Sequence, residues 1–240
     1  MCMKFHKIVP ALLAATVLTG CFEKSADEHY QQAQTYLSEQ NTDTAIIELK
    51  NAIAKEPDAA KYRLILGQTY FFVGAFAQAE KELSKAKELG DNSKQLNDLL
   101  TQASYYNYNS AGILAEYNLK ATPTNVYYAA MVDLQDNRLE EAREKLNQLK
   151  AQKGPWATLA QAYLALIDNK PEQTLTILKQ VATAESELAA LLVKAQALQI
   201  QGLHGESASV YQTIVEKYSQ HMPFVLQLAS VYLNAQQFEQ

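Results

Sequence analysis

The sequence has 240 residues, 48% hydrophobic and 20% charged, with a net charge of −5. That balance is globular and excludes bulk disorder, and an acidic chain with no basic stripe excludes nucleic acid as a partner. Only 8 Gly and 6 Pro occur; Ala, Leu, Gln, Glu and Lys are abundant and β-branched runs are scarce, so helix is expected throughout. Both cysteines, Cys2 and Cys21, stand near the N-terminus, which leaves the body without a disulfide, a CxxC redox pair or a cysteine zinc site.

Residues 1–21 read MCMKFHKIVPALLAATVLTGC. Lys4 and Lys7 make a positive start, and without these two lysines the net charge goes from −5 to −7. The apolar run from Ile8 to Leu18 is shorter than the ~20 residues a spanning helix needs. Charge, length and flanks describe a signal peptide over residues 1–20. Its end, Leu18-Thr19-Gly20-Cys21, resembles the lipobox of bacterial lipoproteins. The resemblance implies a lipid thioether on Cys21, with residues 21–25 as lipidated N-terminus and short tether. Each buried CH₂ contributes ~0.8 kcal/mol and one chain anchors only marginally, so two or three would hold the protein at a membrane. The other reading is an ordinary signal peptide followed by an incidental cysteine. Phe22, rather than Asp, follows the cysteine; in enterobacterial lipoproteins that pattern points to the outer membrane, periplasmic side, over the inner membrane.

From residue 26 the chain repeats itself. Residues 26–59 align with residues 60–93 so that Ala33 meets Gly67, Tyr36 meets Tyr70, Ala45 meets Ala79, Leu49 meets Leu83 and Ala52 meets Ala86. A period near 34, with small residues and a Tyr on the first helix and Ala and Leu on the second, resembles the tetratricopeptide repeat. Each unit is then an antiparallel helix pair: the small residues allow close approach, and Leu and Tyr fill the space between. One pair cannot bury its own apolar face, so units stack. Pro57 marks the exit from a second helix. Later units are looser: 94–122 with Leu100, Ala103, Ile113, Leu114 and Tyr117; 123–154 with Ala130, Ala142 and Leu146; 155–187 with Ala162 and Leu178; 188–221 with Ala195, Leu198 and Tyr211. Residues 222–240 give one first helix, Leu228-Ala229-x-x-Tyr232. Val225, Leu228, Val231 and Tyr232 would lack the second helix that should cover them. The sequence is therefore expected to be a piece of a longer protein; the alternative is a last helix that docks elsewhere.

The expected fold is an all-α, right-handed solenoid of such pairs over residues 26–240. The phrases AIIELKNAIAKEP, RLILGQTY and AEKELSKAKELG, close behind a lipobox, are also similar to the tetratricopeptide-repeat lipoproteins of the PEP-CTERM/exosortase sorting system. That resemblance covers about residues 18–90. It implies a scaffold in exopolysaccharide production and envelope sorting.

No catalytic pattern stands out. There is no Gly-rich phosphate loop, HExxH or GxSxG, and His29, His204 and His221 lack metal-ligand spacing. No enzyme activity, cofactor or metal is expected. By the repeat pattern, the first helices would line a concave groove with Tyr30, Gln34, Leu64, Gln68, Phe71, Tyr127, Met131 and Tyr163, joined by Tyr105 of the Tyr105-Tyr106-Asn107-Tyr108 run. Such a set suits an extended peptide or helix from a protein partner, because Tyr offers contact area at low entropy cost. The competing reading is that the aromatics pack between units. Tyr and Gln can also stack on and hydrogen-bond sugars, which makes a polysaccharide a second partner class. The expected role is a non-catalytic, membrane-anchored scaffold. Alternatives are a lipoprotein of pilus or outer-membrane protein biogenesis, and a carbohydrate-binding module or part of a larger enzyme.

Overall fold

Good helix formers punctuated by caps and left-handed turn residues produce a row of helix pairs. The computed structural model describes residues 23–181 and 186–235 and holds thirteen helices and no strand among them. The pairs are α1 (Ala26–Ser38) with α2 (Thr42–Lys55), α3 (Ala60–Phe72) with α4 (Phe76–Glu88), and α5 (Lys94–Tyr106) with α6 (Ser110–Leu119). They continue with α7 (Pro123–Gln135) and α8 (Leu139–Lys150), α9 (Pro155–Ile167) and α10 (Pro171–Leu178), then α11 (Glu187–Ile200) and α12 (His204–Lys217). A single helix, α13 (Met222–Asn234), follows. The expected all-α solenoid is the observed architecture. Cys21 and the leader lie outside the described residues. No described helix is long and apolar enough to cross a membrane.

The repeat has a backbone signature. The turn inside each pair contains one residue with positive φ: Gln40, Gly74, Tyr108, Asn137, Asn169 and Gly202. The residue after each of these donates its N–H to a carbonyl five residues back. The six bonds are Asn41 to Tyr36, Ala75 to Tyr70, Asn109 to Ser104, Arg138 to Asp133, Lys170 to Ala165 and Leu203 to Leu198, all between 2.7 and 2.9 Å. This six-to-one closure satisfies carbonyls that a helix end leaves open. Starts are set as regularly. Ser25, Asn41, Ser93, Asn109 and Thr122 cap with their side chains, and Pro123, Pro155 and Pro171 occupy first helical positions, where no N–H is missed.

Counting from the left-handed residue aligns the units better than side-chain type does. Seven positions before it lie Ala33, Gly67, Thr101, Ala130, Ala162 and Ala195; five positions after it lie Ala45, Ala79, Ile113, Ala142, Thr174 and Ser207. All twelve are buried. At Gly67 a Cβ would stand 2.6 Å from Leu83 Cγ, so only glycine lets α3 and α4 meet there. In the fifth and sixth pairs, Thr174 and Ser207 send their hydroxyls to the carbonyls of Ala162 and Ala195, at 3.1 and 3.0 Å. One apolar core runs from Phe71 in α3 to Val231 in α13. Val231, expected to lack a partner, is fully buried; Ala229 is exposed.

The row also closes on itself, which the repeat alone did not predict. The turn between α12 and α13 docks on the turn between α3 and α4. Gln220 donates its N–H to the Val73 carbonyl at 2.9 Å. Tyr218 stacks edge-on against Phe71, with ring centroids 6.3 Å apart. Phe224 meets Phe76 and Tyr106 at 6.2 and 5.9 Å. His221 lies 4.8 Å from Phe76 and 4.3 Å from Phe224.

Candidate binding interface

Among the described residues, the clasp formed by residues 218–224 separates two hollows on the inner face. The first is a groove on α1, α3 and α5. One part of about 870 Å³ is lined by Gln34, Gln40, Ile65, Gln68 and Phe72, and walled by Glu216, Lys217 and Ser219. An adjoining part of about 510 Å³ is lined by Gln68, Phe71, Phe72, Gln95, Leu99 and Gln102, with Lys94 and Asp98 at its side. Gln68 and Phe72 belong to both, so the two parts form one continuous furrow. Its carboxamides are held by local hydrogen bonds: Gln95 donates to Gln68 Oε1 at 3.0 Å, and Gln34 donates to the Tyr30 hydroxyl at 3.0 Å. Phe72 is 41% exposed, a large apolar ring on a wet surface.

The second hollow is a chamber of about 300 Å³ among α5, α7, α11 and α13. Its lining includes Tyr105, Tyr106, Tyr108, Gln135, Gln196, Gln199, Tyr211, His221 and Phe224, with no charged side chain. A recess of about 80 Å³, lined by Tyr105, Tyr127, Met131 and Tyr163 among others, adjoins it through Tyr105, Tyr106, Leu192 and Gln196. Desolvation pushes the phenols of Tyr105, Tyr106, Tyr127, Tyr128 and Tyr163 above the usual tyrosine range, so all stay protonated near neutrality. Tyr106 and Tyr128 share a buried hydroxyl contact of 3.2 Å. Burial holds the His221 imidazole down at about 4.

The groove residues read from the sequence thus fall into separate groups. Gln34, Gln68 and Phe71 line the furrow. Tyr105, Tyr127, Met131 and Tyr163 gather around the tyrosine recess. The expectation that all would be exposed needs correcting: Phe71, Tyr127 and Met131 are buried, since the curvature of the row and its closure bring neighbouring inner helices over them. Leu64 is half-buried against the main core, and Tyr30 tilts onto Tyr62 with centroids 5.4 Å apart. Missed by sequence reasoning were Phe72, Gln95 and Gln102 in the furrow and Gln196, Gln199 and Gln227 in the chamber. A count along first helices would have found the glutamines on α5 and α11. The contribution of α13 needed the closure. Among the described residues no group of three or more His, Cys, Asp or Glu side chains could hold a metal ion.

The family model of the tetratricopeptide repeat matches residues 36–103. A search of curated proteins gives no significant match. Among solved structures, a tetratricopeptide repeat protein from Parabacteroides merdae ATCC 43184 superposes with a TM-score of 0.54 at 13% identity, over 90% of this chain and 93% of that one. PilW, a widely conserved type IV pilus biogenesis factor, gives 0.51 at 15% identity, over 84% of this chain and 98% of that one. A chain of the APC/C hetero-tetramer Cut9–Hcn1 gives 0.52 at 14% identity, over 86% of this chain and 43% of that one. At these identities the likeness is one of fold. The architecture is that of a tetratricopeptide-repeat solenoid, and the repeat itself is matched over residues 36–103.

Proposed function

We propose that the chain is a non-catalytic scaffold that holds an extended segment of a protein partner in the furrow of α1, α3 and α5. The observation that carries this reading is the continuity of the furrow through Gln68 and Phe72. Carboxamides spaced along it match the N–H and C=O groups of an extended backbone, and Phe72 supplies an apolar anchor. The partner is an envelope protein, met at a membrane to which lipidated Cys21 ties the scaffold. The lipobox resemblance and the three repeat phrases support envelope sorting or exopolysaccharide export as the process. Pilus assembly is a second reading, favoured by the match in fold and extent to PilW.

Photo-crosslinking tests the furrow. A benzophenone amino acid at position 72 is expected to give a discrete protein adduct in cells, weakened by Gln34→Ala with Gln68→Ala. Absence of an adduct there, with equal labelling from a position on the outer helices, refutes the reading. Cys21→Ser is expected to abolish palmitate labelling and release the chain from the membrane fraction; retention of both overturns the anchor. Neighbouring genes separate the processes: exosortase or glycosyltransferase genes support sorting or export, pilus genes the second reading.

A further inference from the structure

We propose that the half-open chamber among α5, α7, α11 and α13 binds a neutral saccharide of one or two rings. This site is separate from the furrow and does not rest on the protein-partner reading.

Its volume of about 300 Å³ lies at the lower end of small-molecule sites, roughly 300–1,000 Å³. The chain is 20% charged, yet no charged side chain lines the chamber. A phosphate, carboxylate or ammonium group entering it would lose hydration and meet no counter-charge. An entirely apolar ligand is disfavoured for the opposite reason. Gln196 and Gln199, both half-buried on α11, have no hydrogen-bond partner among the described residues. Each offers donors and an acceptor that an apolar guest would strand. One further carboxamide is already oriented, Gln135, which donates to the Tyr105 hydroxyl at 3.1 Å, and Gln227 of α13 adds another to the lining. Beside them stand the rings of Tyr106 and Phe224, and Tyr108 projects at the rim, 69% exposed.

A sugar ring answers both halves of this lining. Its hydroxyls donate and accept as carboxamides do, and its C–H faces pack on aromatic faces. The site is formed in advance, because the clasp that closes the row supplies His221 and Phe224 to its wall. Little ordering is then left for the ligand to drive.

The test titrates the whole chain with a panel of neutral mono- and disaccharides of glucose, galactose, mannose and N-acetylglucosamine. Glucuronic acid and a blocked alanine tripeptide serve as contrasting probes. Side-chain amide resonances of glutamine report the site. At least one neutral sugar is expected to saturate with Kd tighter than about 1 mM and to shift the amides of Gln196 and Gln199. Gln196→Ala and Gln199→Ala are each expected to weaken it about tenfold or more without moving the thermal midpoint. Three outcomes overturn the proposal: no neutral sugar saturates, binding persists undiminished in both variants, or the tripeptide or the acid shifts these amides while the neutral sugars do not.

Discussion

At the scale of single residues, close approach decides which side chains the repeat tolerates. Gly67 is the clearest case, since any Cβ would press on Leu83 at 2.6 Å. Gly67→Ala is expected to cost about 1–3 kcal/mol by overpacking, read as a lower denaturant midpoint with an unchanged slope. Leu83→Ala alone should cost about 2–5 kcal/mol. The double variant should cost less than the two together, because truncating Leu83 makes room for the new methyl. Elsewhere the same small positions are filled by Thr101, Ile113, Thr174 and Ser207, all buried. A reading by residue type passes over Thr101, Thr174 and Ser207, whereas Ile113 was named for its apolar side chain. Thr174 and Ser207 look polar in the sequence, but each satisfies its hydroxyl on a carbonyl of the facing helix, which removes the penalty of burying it.

At the scale of elements, starts and stops are local chemistry: the sequence reading placed the exit of α2 at Pro57, next to its C-cap Glu56, but named no N-cap. Ser25 accepts from the Glu28 N–H while the Glu28 carboxylate receives the Ser25 N–H at 2.7 Å, a reciprocal cap. Ser25→Ala should cost α1 about 1 kcal/mol, seen as faster amide exchange in its first turn and little change in the rest of the chain. The shortened third unit was legible too: the left-handed residues step from 40 to 74 to 108, then reach 137 early. Within it the sequence pointed to Leu100, Ala103 and Ile113, and all three are buried. Less legible was which face of a first helix meets water. Phe71 and Phe72 are neighbours in the sequence, yet Phe71 is buried under Phe76 and Tyr218 while Phe72 stands out into the furrow. The helical pattern fixes that they point apart; the inner curvature decides which one is covered.

At the scale of the whole molecule, the clasp is the feature that shapes both hollows. Gly74 makes it fit: with φ at +81°, it lies where a Cβ would come within 2.7 Å of the Tyr218 carbonyl oxygen. Gly74→Ala is expected to spring the clasp, raising the radius of gyration in small-angle scattering while helical content stays constant. An unchanged radius would show that the closure yields locally instead. Acid should act on the same contact. His221 faces Phe76 and Phe224, and burial holds it at about 4, against about 6.5 in an unfolded chain. Between those values the unfolded chain binds a proton that the closed form refuses. The contribution of neutral His221 is therefore complete above about pH 6.5 and is lost as the pH falls towards 4. Thermal midpoints of the wild type should drop across that window more than those of His221→Phe, which keeps the ring contacts and cannot titrate.

The sequence by itself determined the helix pairs, their period, their caps and the small residues at which they meet, because each depends on groups a few residues apart or on a pattern repeated along the chain. It also marked Gln34, Gln68, Tyr105 and Tyr163 as inward-facing. Only the tertiary structure decided that Tyr127 and Met131 would be covered, and that Gln68 and Gln196 would belong to different hollows. Those outcomes depend on how far the row bends, which is the accumulated sum of many small rotations between neighbouring units. The contact of residues 218–224 with residues 71–76 is the result of that sum, and no local pattern encodes it.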